Sequence, residues 1–309
     1  MEKKKITVLM STYNGEKYLR DQLDSILGQT VRDILELKLL VRDDGSTDST
    51  IDILREYKEK YKDTVDFYQG ENLRSEKSFW HLVKNAETSD YYAFSDQDDV
   101  WMKDKLKRAV LRLEKMQDIP KLYCSGFTTV DADLNIMKTV PDSLNLFTDF
   151  PHALMYSTAP GCTFVFNHKL RMELVKYDMD ANYVEYHDWL THKIAAMKGK
   201  VYYDRRPSIY YRQHGGNVVG SKNGGLEGFI RRVMTFLSNS HGPVRSECAR
   251  SLLNVYGKEL PPQKRMILKE VALYRENRYY KNKFIGDRRF YPGGINTVFH
   301  VFLILVGRI

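Results

Sequence analysis

The sequence predicts an α/β fold: a mostly parallel sheet with helices on both faces. Three observations carry this. Short apolar runs alternate with helical periodicities through the first half of the chain. Three of those runs end in polar clusters, Ser11-Thr12-Tyr13-Asn14, Arg42-Asp43-Asp44-Gly45-Ser46 and Ser95-Asp96-Gln97-Asp98-Asp99. The length of 309 residues, with 42% hydrophobic and 28% charged residues, suits a globular chain of about two domains. Ligands of such sheets bind beyond the carboxyl ends of the strands, so the three clusters are expected to line one cleft.

Taken in order, Lys5 to Met10 reads as a buried strand and Ser11 to Gly15 as the turn after it. Tyr18 to Gln29 carries Leu19, Leu23, Ile26 and Leu27 at helical spacing. Leu37 to Val41 is a second strand, and Thr47-Asp48-Ser49 supply capping side chains for a helix over Ile51 to Tyr61. Val65 to Tyr68 is a third strand, Ser78 to Ala86 a helix, and Tyr91 to Phe94 a fourth strand; another helix starts near Lys103. Beyond it, Leu122 to Thr129, Cys162 to Phe166, Val201 to Tyr203 and Ser208 to Arg212 read as strands, and Asp188 to Ala196 as a helix. A boundary is expected near Val218 to Gly225, where Gly, Ser and Asn collect. Past it, Leu226, Phe229, Ile230, Val233, Met234 and Leu237 form an amphipathic stripe.

Composition narrows the function. Cys124, Cys162 and Cys248 have no metal-like spacing, which excludes a disulfide scaffold or zinc finger and suits a reducing cytosol. The apolar run after the basic residues Lys3 to Lys5 is too short for a signal h-region. Val298 to Val306 is too short to span a bilayer, which needs ~20 residues. Neither secretion nor a transmembrane segment is therefore expected. The net charge of +8 is uneven: residues 222–309 hold 16 Lys+Arg against 6 Asp+Glu, and the remainder is close to neutral. A basic tail of that kind suits an acidic partner such as anionic lipid or nucleic acid.

The densest chemical signal is Asp96, Asp98 and Asp99, three carboxylates within four positions. Like charges this close require raised pKa values or a cation, and Mg²⁺ or Mn²⁺ with oxygen ligands would serve. A solvated acidic turn would read the same. Asp43-Asp44-Gly45-Ser46 reads locally as a turn with a helix cap.

Together these segments resemble family 2 glycosyltransferases. The resemblance rests on Val8 to Gly15, Tyr18-Leu19, Ser25 to Thr30, Val41 to Asp48, and Phe94 to Trp101, the last being similar to a DXD metal segment. Gly161-Cys162-Thr163, His187-Asp188-Trp189, Tyr211 to His214 and Asn217 extend it toward the bacterial rhamnosyltransferase branch. The resemblance implies a GT-A fold over residues 1–220, with a donor half to about 120 and an acceptor half to about 220, and a helical basic region over 221–309. It implies an inverting, metal-dependent transfer, most simply of L-rhamnose from dTDP-L-rhamnose to a lipid-linked saccharide, with a UDP-sugar as the alternative donor. Asp188 is the implied catalytic base, which would otherwise be a helix N-cap. Ser11, Thr12, Tyr13, Asp44, Arg74, Asp96 and Arg212 are implied on the donor, with Tyr13 against the base and Asp44 on its imide. Asp98, Asp96, Asp99 and His214 are the implied metal ligands. Trp101, Gly161, His187 and Trp189 fall on the acceptor side. Relatives often carry a small residue and an Asn where this chain has Arg74 and Ser78.

The tail has two readings: packing on the catalytic domain or a second copy, or attachment to an anionic membrane surface on the cytoplasmic side. Tyrosines among arginines could also stack single-stranded bases, but the first 221 residues hold no RNA-binding motif, and nucleic acid is not the expected partner.

Overall fold

The computed structural model describes residues 3–31, 33–139, 148–156, 159–214, 244–291 and 295–309. The chain divides into two compact units, 1–212 and 213–309. The boundary expected at 218–225, the stripe at 226–237 and Asn217 all lie outside the described residues.

The first unit is built on β1 (Lys4–Thr12), α1 (Leu19–Leu27), β2 (Leu35–Asp43), α2 (Thr50–Lys60), β3 (Val65–Gln69), α3 (Arg74–Asn85) and β4 (Tyr91–Ser95). The four strands are parallel in the order β3-β2-β1-β4. Ile6, Val8 and Met10 alternate with inward residues of the other face and join Leu37, Leu39 and Val41 in one buried core. Register aligns the strand ends: Thr12 lies opposite Asp43, and Met10 opposite Ser95.

The sheet continues through β5 (Val100–Trp101), α4 (Lys105–Glu114), β6 (Lys121–Val130), β7 (Ile136–Thr139), α5 (Phe150–Met155), β8 (Val165–Asn167), α6 (His168–Leu174), α7 (His187–Lys198) and β9 (Lys200–Arg212). β8 is antiparallel to β4 and to β6, whereas β9 runs parallel to β6. The carboxyl ends of β1, β2, β4, β6 and β9 therefore share one edge with the start of β8. A 3₁₀ turn, Gly161–Thr163, leads into β8 at that edge.

Several elements differ from the sequence expectation. Val201–Tyr203 and Ser208–Arg212 are one strand, because a register irregularity opposite Pro207 absorbs its missing N–H. α3 begins four residues before its apolar stripe, with Arg74 at φ 60. α5, α6 and β5 are too short to show a period. Cys162 and Thr163, expected as the start of a strand, fall instead in the 3₁₀ turn Gly161–Thr163.

The second unit contains α8 (Val244–Tyr256), α9 (Pro262–Leu273), α10 (Arg278–Gly286) and α11 (Ile295–Leu305). Pro262 starts α9, where its missing N–H costs nothing. Leu252, Leu268, Val271, Phe284, Phe290 and Ile304 are buried in it. Tyr274, Phe284 and Phe290 pack edge to face. Among the described residues no helix is long and apolar enough to cross a membrane.

Candidate active site

The ends of β1 and β2 form a closed polar network. Asp43 accepts from Thr12 Oγ1 at 3.1 Å, Gly45 N at 3.0 Å, and both Ser46 N and Oγ, at 2.9 and 2.5 Å. These bonds shape the turn, which Gly45 completes at φ 84. Buried Asp44 pairs with the guanidinium of Arg42 and accepts from Leu73 N at 3.0 Å. Arg42 donates in turn to Ser78 Oγ at 3.1 Å and Glu71 O at 2.9 Å, and Ser78 shares a 2.6 Å bond with Ser11. The Asp44 oxygens are thus engaged by the protein, each retaining a second lone pair that a base could use. Ser78 is the hub joining Ser11 to Arg42.

Tyr13 is exposed at the end of β1, as a residue that meets a ligand must be. Its backbone is held by Gln97, whose side chain accepts from Tyr13 N at 2.9 Å and donates to Tyr13 O at 3.1 Å. Gln97 therefore ties the first polar cluster to the acidic one. A Cβ on Gly15 would meet Gln97 Oε1 at 2.3 Å, so only glycine admits this bridge. Thr12 faces Asp43, and Arg74 is exposed at the start of α3.

The acidic loop after β4 lacks that closure. The ligand atoms of Asp96, Asp99 and Cys162 lie within 4.8 Å of one another. Burial, then the charges of Asp98 and Asp188, push Asp96 up to about 7. Burial, then the charges of Asp98 and Asp96, push Asp99 well above the carboxylate range. Its Oδ1 accepts from Arg212 N at 3.1 Å, while Oδ2 is buried without a hydrogen-bond partner. The Cys162 thiol lies within hydrogen-bonding reach of both carboxylates, and burial beside them raises it too, so it stays protonated.

One cation sits beneath the loop. Lys105 is fully buried, with Nζ 3.4 Å from the centre of the Trp101 ring and no hydrogen-bond partner. Burial lowers it to about 7 against the pull of Cys162, Asp99 and Asp96. Trp101, expected on the acceptor side, is 3% exposed, with this ammonium over its ring. Pairing of β5 with β9 holds it inside the fold.

Arg212, expected on phosphate, is 2% exposed and acts as a clamp. Its Nε donates to Asp98 O at 2.8 Å, Nη2 pairs with Asp21 at 2.8 Å, Nη1 reaches Ala132 O, and the guanidinium stacks on Tyr18. The side chain orients the acidic loop through its backbone. His214 belongs to the second unit.

Asp188 approaches from the other half. It sits in the first turn of α7 and accepts from Trp189 N at 2.8 Å and Gly161 N at 3.1 Å. Burial raises it to about 6 despite these bonds, with Glu185 adding to the rise. Its charge in turn raises Asp96, so the two carboxylates share one electrostatic site. A Cβ on Gly161 would meet His187 Nε2 at 2.6 Å and Asp188 Cβ at 3.0 Å. His187 stacks on Phe79 at 3.9 Å and meets Phe94 edge-on, and burial lowers it to about 3. It is a neutral spacer that sets the entry of α7. Trp189 and the exposed Tyr186 form a tilted aromatic pair beside Asp188.

The donor set suits a hard divalent cation. Asp96 and Asp99 are raised by burial and by neighbouring carboxylates, and Asp99 Oδ2 is buried without a hydrogen-bond partner. Asp96 and Asp99 are the carboxylates of this group that would hold it, the Cys162 thiol being protonated, and Asp98, also expected as a ligand, lies outside the group whose ligand atoms come within 4.8 Å of one another. Gln97, Lys105 and Arg42 went unassigned in the sequence. Lys105 did leave a trace there: it falls in the row Lys105, Ala109, Leu113 on the buried face of α4, where a lysine is out of place.

Comparison with known proteins agrees with this architecture. The model for glycosyl transferase family 2 matches residues 7–166. The dTDP-rhamnosyl transferase RfbG of Shigella flexneri is 32% identical over 221 residues, covering 69% of this chain and 74% of that one. Among solved structures, TarS 1–349 of S. aureus in complex with UDP-GlcNAc superposes with a TM-score of 0.57 at 20% identity, covering 97% of this chain and 81% of that one. The mannosyltransferase PcManGT from Pyrobaculum calidifontis, in complex with GDP-Man and Mn²⁺, gives 0.51 at 18% identity, covering 100% and 86%. These likenesses make the fold that of a GT-A glycosyltransferase with a helical C-terminal region.

Proposed function

The chain belongs to glycosyl transferase family 2, and on that premise we propose that it transfers L-rhamnose from dTDP-L-rhamnose, with inversion, to a hydroxyl of a lipid-linked saccharide. One observation carries the mechanism. Asp188 is fixed by two backbone N–H groups, raised to about 6, and electrostatically coupled to the acidic loop. At neutral pH such a carboxylate is mostly ionised yet basic enough to accept a proton. The acceptor hydroxyl gives its proton to an Asp188 oxygen as its own oxygen bonds to the anomeric carbon. The bond from that carbon to the diphosphate breaks on the opposite face, and the nucleoside diphosphate leaves with the electron pair. Asp188 then returns its proton to solvent.

A divalent cation, Mn²⁺ or Mg²⁺, held by the carboxylates of the loop, Asp96 and Asp99 with Asp98 beside them, would offset the charge gathering on the diphosphate. Arg212 and Gln97 fix the loop that presents those carboxylates, through Asp98 O and the Tyr13 backbone. Exposed Tyr13 offers a ring to the base, and the Tyr186–Trp189 pair offers an apolar face to an acceptor sugar.

The donor reading is supported by the rhamnosyl transferase relative. The direct test is a panel of dTDP-L-rhamnose, UDP-galactose and UDP-N-acetylglucosamine with Mn²⁺, using Asp188→Asn as the blank. Turnover of dTDP-L-rhamnose above the blank is expected. Turnover of a UDP-sugar alone would overturn the donor, and equal turnover by Asp188→Asn would overturn the base.

A further inference from the structure

Among the described residues, one apolar face of α11 in the second unit is exposed. α11 packs its His300, Leu303 and Ile304 side inward. The opposite side carries Val298 at 69% exposure, Phe302 at 45%, Leu305 at 56% and Val306 at 48%. At 100° per residue Val298, Phe302 and Leu305 fall within one narrow arc, so the exposure is a continuous stripe. Exposed large apolar residues are ordinary singly and informative when contiguous.

The helix does not run on past this stripe. Gly307 adopts φ 73, its N–H bonds to Ile304 O at 3.2 Å, and Arg308 N bonds to Leu303 O at 2.9 Å. That is a Schellman cap. Ile309 then turns back into the unit against the Tyr274 hydroxyl. Eleven residues make about 16 Å of helix, half of a bilayer's hydrocarbon thickness. A stripe of this length can lie in an interface but cannot span one.

Cations collect at the same end. Lys281 Nζ donates to Leu305 O at 3.1 Å. Arg275 Nε lies 3.7 Å from the position a Cβ would take on Gly307, and Arg308 is exposed beside it. Lys281 completes a helix carbonyl, whereas Arg275 and Arg308 carry charge outward next to Leu305 and Val306. An apolar stripe bordered by cations is complementary to a surface with acyl chains below and negative headgroups above. A protein partner would need acidic residues around an apolar groove, and nothing on this face selects for one.

We infer that the exposed face of α11, with Arg275, Lys281 and Arg308, seats the protein on anionic phospholipid. The inference extends the proposed function, in that an acceptor anchored in a membrane is reached from its surface. The test is co-sedimentation of the full chain with vesicles of phosphatidylglycerol and phosphatidylcholine, or phosphatidylcholine alone, at low and high salt. Binding to the anionic vesicles that weakens with salt is expected. Phe302→Asp/Leu305→Asp should weaken binding about tenfold or more at either salt. Arg275→Gln/Arg308→Gln should weaken it several-fold at low salt only. Unchanged thermal melting shows that the variants fold.

Absence of wild-type binding, or equal binding by the Phe302/Leu305 variant, overturns the inference. So does a wild-type dimer in analytical ultracentrifugation that the same variant dissociates, since a second copy would then be the occupant. Transfer to a water-soluble saccharide is measured in parallel. Its failure with binding intact would sink the functional reading alone, and loss of binding with transfer intact would sink the surface alone.

Discussion

Asp43 and Asp44 at the end of β2, and Asp96, Asp98 and Asp99 past the end of β4, put one residue type at equivalent places in one sheet, and the fold treats them oppositely. At β2 every carboxylate meets donors: Asp43 closes the turn, and Asp44 has Arg42 and the Leu73 amide. At β4 Asp96 and Asp99 are raised by burial and by the carboxylates beside them, with buried Lys105 the nearby cation among the described residues. Compensated charge builds structure. Uncompensated charge is an unfilled demand for a cation, which is the signature of a site that binds something.

The sharpest test of this contrast is Asp188→Asn, which keeps the shape and removes the base. A loss of about 10² to 10⁴ in kcat is expected from the usual worth of a general base. The wild-type kcat/KM should rise with pH through a limb near 6, matching the raised carboxylate, and the variant should lack that limb. A limb that persists in the variant would assign it to another group.

At β2 the expected effect falls on stability. Asp44→Ala leaves the guanidinium of Arg42 buried and unpaired, at a cost of about 3–5 kcal/mol in denaturant unfolding. A variant of wild-type stability with a raised KM for donor would reverse the assignment and make Asp44 chiefly a ligand contact.

Gly161→Ala probes the seam between Asp188 and His187. The added methyl must displace one of them, and a misplacement of that order costs about 10² in rate. Wild-type activity in this variant would mean that the seam is loose and Asp188 is not held as described.

The smallest effect is on melting temperature. Asp96 binds its proton more tightly folded than unfolded, so its contribution is complete below the unfolded pKa near ~4 and is lost as pH rises through about 7, and Asp99, raised in the same direction, adds to it. The metal-free protein should melt a few degrees lower at about pH 7.5 than at about pH 5 on this account. Mn²⁺ should restore more at the higher pH. A Mn²⁺ effect independent of pH would place the ion away from these carboxylates.

The sequence alone determined the parallel alternation, the three polar clusters at strand ends and the candidacy of Asp96, Asp98 and Asp99, because periodicity and like-charge crowding are local properties, whereas Asp188 was legible only through the family resemblance. What local pattern could not contain is which partner each charge meets. That Arg212 turns inward to clamp the Asp98 backbone, and that Trp101 is held inside the fold by pairing of β5 with β9, depend on β9 folding back from far along the chain. The same holds for α11, whose apolar run reads alike on every side until packing chooses which face to bury. A residue's chemistry is written in its type, but its role is set by burial and by its neighbours, and both are products of the tertiary fold.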